Sequence, residues 1–268
     1  DDHHVFVSLG CATANLALAA AAGGRPGEIS LAADGGGVRY DFIAGAPRAG
    51  PLTGAIFKRQ STRTEHDGRA VPTADLLAIE RAAAIPGVSL AIVMDRPRIR
   101  RVRDLVIAGN ADQMGDPQFM GELKHWLRFN PRSAMASGDG LFSAASGNPV
   151  LPTGLGRFAF DRLFDAGTEN QKYARQIDSS TGVAIFFGER ADRDHWIRVG
   201  QACQRFALAA TSLGLKVAFI NQPVEVARLR ADLAAAVGET GRPDIVMRFG
   251  YGPELPYSPR RPAASVIA

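Results

Sequence analysis

The sequence predicts a mixed α and β protein laid out on a duplicated plan, and three observations carry that reading. Segments with apolar residues at helical spacing alternate with short runs rich in Val, Ile and Phe. The stretch from Gly10 to Gly24 returns 190 positions later, from Gly200 to Gly214, with Gly, Ala, Ala, Leu, Ala, Ala and Gly coinciding at 10/200, 12/202, 17/207, 18/208, 19/209, 20/210 and 24/214. Two copies of one small-residue helix at that distance point to two versions of one fold, an arrangement that imitates a two-fold symmetric dimer. The 268 residues, 46% hydrophobic and 22% charged, are enough to bury one large core or two modest ones.

Along the chain, Ser8 is placed to cap the first helix and Gly23-Gly24 closes it. Residues 28–33 and 38–43 alternate apolar and polar around Asp34-Gly-Gly-Gly37, which predicts a hairpin. A Pro/Gly-rich link, residues 45–54, separates this part from the rest. A short helix follows at Ile56-Phe57; Thr73 caps a second over 74–84, which Pro86-Gly87 ends. Residues 88–94 form a buried strand, and helices follow near 98–112 and 117–128. From Phe129 to Gly156 the chain is rich in Gly, Ser, Ala, Asn and Pro with no sustained period, so it is expected to be a long loop or lid; loops of that length are usually functional or disordered. Strands are expected at 183–187, 216–220 and 244–249, the second repeat helix from about Asp194, and a helix near 224–237; a proline-rich basic tail ends the chain.

The formal net charge of +4 and a pI near 9.4 suit anionic small molecules and are too mild and scattered to imply nucleic acid. The densest basic run, Arg96 to Arg103, reads as the solvated face of a helix. Cys11 and Cys203 fall at nearly equivalent places in the repeated helices, where they could approach each other; the plainer reading is two buried structural thiols. No apolar run is taken to reach the ~20 residues of a membrane span. Nothing resembles a signal peptide, and a cytoplasmic location is expected. The start, almost directly on a helix, suggests a chain lacking its true beginning.

Common catalytic signatures are missing: there is no Gly-x-Ser-x-Gly elbow, no phosphate-binding Gly-Lys-Ser/Thr loop and no His-Glu-x-x-His. Gly154-Leu-Gly156-Arg-Phe-Ala159 mimics a dinucleotide fingerprint, but it follows Pro152-Thr153 and no strand. His3, His4, His66, His125 and His195 show no ligand spacing, so no metal is expected. Three segments make more sense together than apart. Arg59-Gln-Ser61-Thr-Arg63 sets two guanidinium groups and a hydroxyl at alternate positions, a donor set suited to a phosphate dianion. Pro223-Val224-Glu225 lies at a strand-to-helix corner, where free backbone N–H groups can point at a flat ligand. Arg260-Arg261 supplies two more cations on a Pro-stiffened tail.

In this order, Arg-x-Ser-x-Arg, the repeated Gly-x-Ala helix, Pro-Val-Glu and Arg-Arg-Pro, the chain resembles the FMN-dependent nitroreductase family. With Trp126 to Arg132, Gly138-Asp-Gly140, Asn221 to Glu225 and Arg248 to Pro253 added, it resembles the duplicated, Acg-like branch over essentially its whole length. The resemblance implies an α+β fold whose mixed, mostly antiparallel sheet is flanked by helices and duplicated as an internal pseudo-dimer. Residues 1–54 would be the remnant of an N-terminal half and 55–268 a C-terminal nitroreductase-like domain with a lid near 129–156. It further implies that Arg59, Ser61 and Arg63 hold the FMN phosphate and ribityl chain, Arg63 also reaching the ring. Arg260 and Arg261 would complete phosphate binding, and Pro223, Val224 and Glu225 would form the corner whose backbone N–H contacts flavin N5. The repeated helices would form the core of the pseudo-two-fold interface.

The family's Asn-x-Gln-Pro-Trp segment is missing after Arg81 to Gly87, so at most one complete flavin site per chain is expected, the missing segment lying upstream of Asp1. Val226 replaces a small residue and would crowd the ring. The resemblance thus implies an NAD(P)H-dependent FMN oxidoreductase that passes hydride through N5 to a nitroaromatic, quinone or similar acceptor. No side chain need act as acid or base, because the flavin carries the chemistry. Two alternatives stay open: a flavin-sequestering protein whose closed lid excludes nicotinamide, and a structural paralogue with no cofactor. The partners implied are NAD(P)H and a small-molecule substrate, with no nucleic acid and no membrane, and the pseudo-dimer is compatible with a monomer.

Overall fold

The computed structural model describes residues 2–265 and 267. The first helix, α1 (His3–Ala22), begins well before Ser8, with Asp2 at its N-cap making no side-chain cap bond. Its start is set by packing instead of capping: Phe6 and Val7 are buried, and Asp2 is held by Arg193 at 2.6 Å. With 20 residues and no acidic or basic side chain beyond its two histidines, α1 is long and apolar enough to cross a membrane, which corrects the expectation that no such run exists. In this fold Phe6, Val7, Gly10 and Ala14 of α1 face inward, while Val5 and Leu16 are exposed.

The expected hairpin forms from β1 (Gly27–Leu31) and β2 (Val38–Phe42), paired antiparallel from Gly27↔Phe42 to Leu31↔Val38. Its turn is fixed by Asp34, whose carboxylate accepts from the Gly36 N–H at 2.9 Å. A short α2 (Pro51–Ala55) leads to α3 (Thr73–Ala83), where Thr73 is the first helical residue and Pro72 the uncapped N-cap. Then come β3 (Val88–Val93), α4 (Arg96–Met114) and α5 (Pro117–Trp126), the two helices capped by Asp95 and Asp116.

The expected lid is not a structureless loop. Its chain makes β4 (Leu127–Arg128), α6 (Pro131–Ser137) and β5 (Leu141–Phe142), with β4 and β5 parallel, and enters α7 (Thr153–Leu163). Asn130 caps α6 through the Ser133 N–H and ties the segment to the Leu151 carbonyl at 3.1 Å, so side-chain bonds replace the missing periodicity. A helix with no counterpart in the sequence reading follows, α8 (Ala166–Asp178), capped by Asp165.

The core elements are β6 (Gly182–Gly188), α9 (Arg193–Ser212), β7 (Lys216–Phe219), α10 (Gln222–Glu225), α11 (Arg230–Val237) and β8 (Pro243–Gly250). The helix expected near 224–237 is broken at Val226, which is extended. The main sheet runs β3-β6-β8-β7, antiparallel throughout. Successive residues of β6 alternate between two cores, as strand geometry requires. Ala184 and Phe186 join Phe206, Ile197 and Phe6 on the α9 side; Val183, Ile185 and Phe187 join Ile99, Val106, Ile177 and Leu233 from α4, α8 and α11. The order from one side to the other is α1 and α3, α9, sheet, then α4 with α8 and α11.

The repeated helices, α1 and α9, pack on each other at the matching glycines. A Cβ on Gly10 would stand 2.1 Å from the Ile197 carbonyl oxygen and 3.0 Å from the Gly200 Cα; one on Gly200 would stand 2.1 Å from the Val7 oxygen and 2.9 Å from the Gly10 Cα. Val7 and Ile197 are also 190 apart. The contact is therefore reciprocal: each helix meets its counterpart at the same place in the repeat.

Candidate functional site

A cavity of about 720 Å³ opens between the α4, α8 and α10 side of the sheet and the segment from α5 to α7. That is within the range of small-molecule pockets. One wall is polar, with Arg63, Lys172, Tyr173, Gln222 and Glu225; the roof is apolar, with Phe119, Leu127, Phe129, Phe160 and Phe164. The roof packs closely enough that a Cβ on Gly156 of α7 would fall 2.4 Å from the Phe129 ring.

The polar wall is built from three directions. Arg63 donates to Ser146 Oγ at 3.3 Å, and burial lowers its pKa. Tyr173, on α8, shares this wall with Gln222; burial raises its pKa, and the Arg63 charge opposes that rise. Glu225 accepts from Gln113 of α4 at 2.5 Å, and His4 of α1 lies 3.8 Å from its other oxygen. Lys172 donates to Asn148 at 2.7 Å, joining α8 to the roof.

Of the sequence-derived candidates, Arg63 and Glu225 line this cavity, and Pro223 and Val224 are buried beside Glu225 in α10. Arg59, Ser61, Arg260 and Arg261 do not line it. Ser61 sits beside it, bridged parallel to Val217 of β7, with its hydroxyl buried and unpartnered among the described residues. Arg59 lies near the α1–α9 crossing, where its charge reaches Cys11 and Cys203. Arg260 and Arg261 are on the exposed tail, with the Arg261 stem against Gly138 beyond α6.

Sequence reading missed the α8 contribution of Lys172, Tyr173 and Gln176, although the cap pair Asp165 and Thr168 and the i,i+4 pair Tyr173 and Ile177 signal that helix. It also gave no role to Arg248, which is fully buried on β8. Its guanidinium donates to the carbonyls of Gln176, Thr62 and Thr64 at 3.1, 2.9 and 2.8 Å and to Ser180 Oγ at 3.2 Å. It therefore grips the backbone on both sides of Arg63. Burial, with the nearby Arg63 charge, brings its pKa down to about 10, so it stays protonated at neutral pH.

Next to this clamp, the His66 ring is buried against Gly250 and Gly252. Burial, reinforced by the Arg248 charge, takes its pKa down to about 3. An unfolded chain binds a proton at this ring near pH 6.5, and the folded chain does not until about pH 3, so stability is full above 6.5 and falls as pH drops between the two. Urea unfolding is expected to show a loss of about 2 kcal/mol from this group between about pH 7 and 5, absent in His66→Gln.

Among the described residues, Asp192, Asp194 and His195 bring possible ligand atoms within 4.8 Å of one another at the start of α9. Each is already engaged: Asp192 caps His195 and meets Arg190 at 3.2 Å, and Asp194 meets Arg198 at 2.8 Å.

A four-stranded antiparallel sheet covered by helices on both sides, with a cavity beside the β7–α10 corner, defines the nitroreductase-like fold. Solved structures bear this out. The FMN-dependent nitroreductase NfnB of Mycobacterium smegmatis, in complex with NADPH, matches at a TM-score of 0.53 and 14% identity over 81% of this chain and 97% of that one. The FMN and NADPH-dependent NfnB of Sphigopyxis sp. strain HMH matches at 0.52 and 16%, over 81% and 97%. In sequence, the Mycobacterium tuberculosis H37Rv protein named "Putative NAD(P)H nitroreductase Rv3131" is 28% identical over 223 residues, which are 81% of this chain and 61% of the relative. The chain thus spans about three fifths of the length of the curated relatives it matches. No family model matches it.

Proposed function

We propose that the chain is an FMN-binding oxidoreductase of nitroreductase type, of the Acg-like branch, and that the cavity beside Arg63 receives the flavin ring. The observation that carries the reading is the half-buried Arg63 on the wall of a cavity of about 720 Å³ that is also lined by Gln222 and Glu225 of the α10 corner. The donor set fits the group. Among the described residues Arg63 has no carboxylate partner, and the Ser61 hydroxyl is buried without a hydrogen-bond partner. Relatives and fold neighbours described as NAD(P)H nitroreductases or as FMN-dependent support the same reading.

In this proposal Ser61 and Arg63 hold the ribityl and ring edge, and the backbone at Pro223, Val224 and Glu225 faces N5. Arg59, Arg260 and Arg261 serve the phosphate outside the cavity. When bound, FMN supplies two-electron transfer from NAD(P)H to a nitroaromatic, quinone or similar acceptor. The chain's own residues bind, orient and exclude water. The phenylalanine roof keeps the site dry, and Tyr173 with Gln222 fixes the polar wall. The proposal includes a cytoplasmic location, and residues 1–54 as the remnant of a first half packed on a domain formed by 55–268; the reciprocal Gly10–Gly200 contact supports that duplication.

The test is the visible spectrum of the protein mixed with FMN, followed by anaerobic addition of NADPH. Flavin bands that co-elute with the protein and then bleach support the enzyme. Bands that persist after NADPH support flavin storage behind a closed roof, and colourless protein overturns flavin binding. Arg63→Ala is expected to weaken FMN about 10- to 100-fold by isothermal titration, the worth of one charge-assisted hydrogen bond.

A further inference from the structure

Cys11 and Cys203 are the two cysteines of the chain, and they stand together where α1 crosses α9. The crossing is tight because both helices present a glycine there. A Cβ on Gly200 would come within 2.9 Å of the Cys11 backbone nitrogen, and the Cys11 thiol donates to the Gly200 carbonyl at 3.3 Å. Cys203 lies three residues further along α9, less than one helical turn from the Gly200 carbonyl that the Cys11 thiol meets. Both thiols therefore sit at the one place where the two helix backbones are in direct contact.

The pair is chemically unequal. Cys203 is buried among apolar residues, whereas Cys11 is half-buried and lies in the field of Arg59. The neighbouring Cys203 thiol lowers the Cys11 pKa, and the Cys11 thiol together with burial raises that of Cys203. Cys11 is therefore the thiolate-forming, accessible partner and Cys203 the resolving one, the division that peroxide-reactive pairs require.

We propose that Cys11 and Cys203 form a redox-active thiol pair that a hydroperoxide converts to a disulfide, stapling α1 to α9. The Cys11 thiolate attacks the peroxide O–O bond, giving a sulfenic acid and releasing the alcohol or water. The Cys203 sulfur then displaces hydroxide from the sulfenic sulfur, forming the S–S bond and, with its own proton, one water. Two thiols are oxidised and one peroxide is reduced. A thiol reductant reverses the bond by exchange. The loop closed spans nearly 200 residues and crosses the repeat, so the bond would fix the hairpin-bearing N-terminal part on the rest of the chain whatever the cavity binds; the inference does not rest on the flavin reading.

The experiment treats the folded chain with hydrogen peroxide, then measures intact mass and a non-reducing peptide map. The expected result is loss of two hydrogens and a Cys11–Cys203 linked peptide, both reversed by dithiothreitol, with a higher melting temperature in the oxidised form. Cys203→Ala should retain the fold and trap Cys11 as a sulfenic acid detectable with dimedone. Oxygen added at Cys11 of the wild type without the cross-link overturns the proposal, as does failure of either thiol to react under conditions that oxidise a free thiol control.

Discussion

Arg248→Met is expected to lower stability by about 3 kcal/mol, roughly 10 °C in melting temperature, because three carbonyls and a hydroxyl lose their donor. Removing a buried charge recovers part of its desolvation cost, which keeps the loss below the sum of four bonds. The methionine fills similar volume, so the measured loss reports hydrogen bonding and not a cavity. Arg248→Lys keeps the charge but cannot reach four acceptors spread over Thr62, Thr64, Gln176 and Ser180, and should also be destabilised. Urea unfolding checks both. If Arg248→Met melts with the wild type, the clamp is not holding the backbone around Arg63.

Gly200→Ala tests the helix crossing by its sign. In an exposed helix interior this change stabilises by about 1 kcal/mol, because Ala loses less backbone entropy. At Gly200 the new methyl meets the Val7 carbonyl oxygen at 2.1 Å, so the helices must separate. The expected net effect is destabilisation by about 2 kcal/mol, an overpacking cost exceeding the propensity gain. Gly121→Ala in α5, with nothing within 4 Å of the added methyl, is the control and should stabilise. Gly10→Ala should match Gly200→Ala, and the double variant should cost less than the two together, since one separation relieves both contacts. Thermal melts of the four variants decide it.

The repeat at Gly10 and Gly200 was legible because the same small residues recur around a contact that admits nothing larger. The sheet was legible too, as β6 and β8 are buried along nearly their whole length and β3 and β7, beside them, are short runs of mostly apolar residues. The roof was not. Residues 129–152 are ordered by Asn130 and by backbone bonds between segments, such as Ser143 N–H to the Arg128 carbonyl at 3.0 Å, and such bonds leave no period in a sequence. Helix α8 escaped because its exposed face is polar and its buried face small: Gln176 and Ile177 alone are fully buried. At the site, Arg63 and Glu225 were visible as motif residues, whereas Tyr173 and Arg248 gain meaning only from neighbours distant in the chain. The helix start at His3 instead of Ser8 shows a good capping residue losing to the burial of Phe6 and Val7.

The C-terminal tail, by its contacts, adds a second link between the segment leading into Arg63 and the cover of the cavity, beside the direct bond from Arg63 to Ser146. Gln60 exchanges both of its amide bonds with the Leu255 backbone at 2.9 Å, and Tyr257 holds the Lys58 carbonyl at 2.9 Å. A few residues later the Arg261 stem lies against Gly138, beyond α6. One short span of chain is thus anchored at the segment leading into Arg63 and again at the cover of the cavity. The cover and the floor of the cavity therefore share an anchor made by residues 255–261, far along the chain from both.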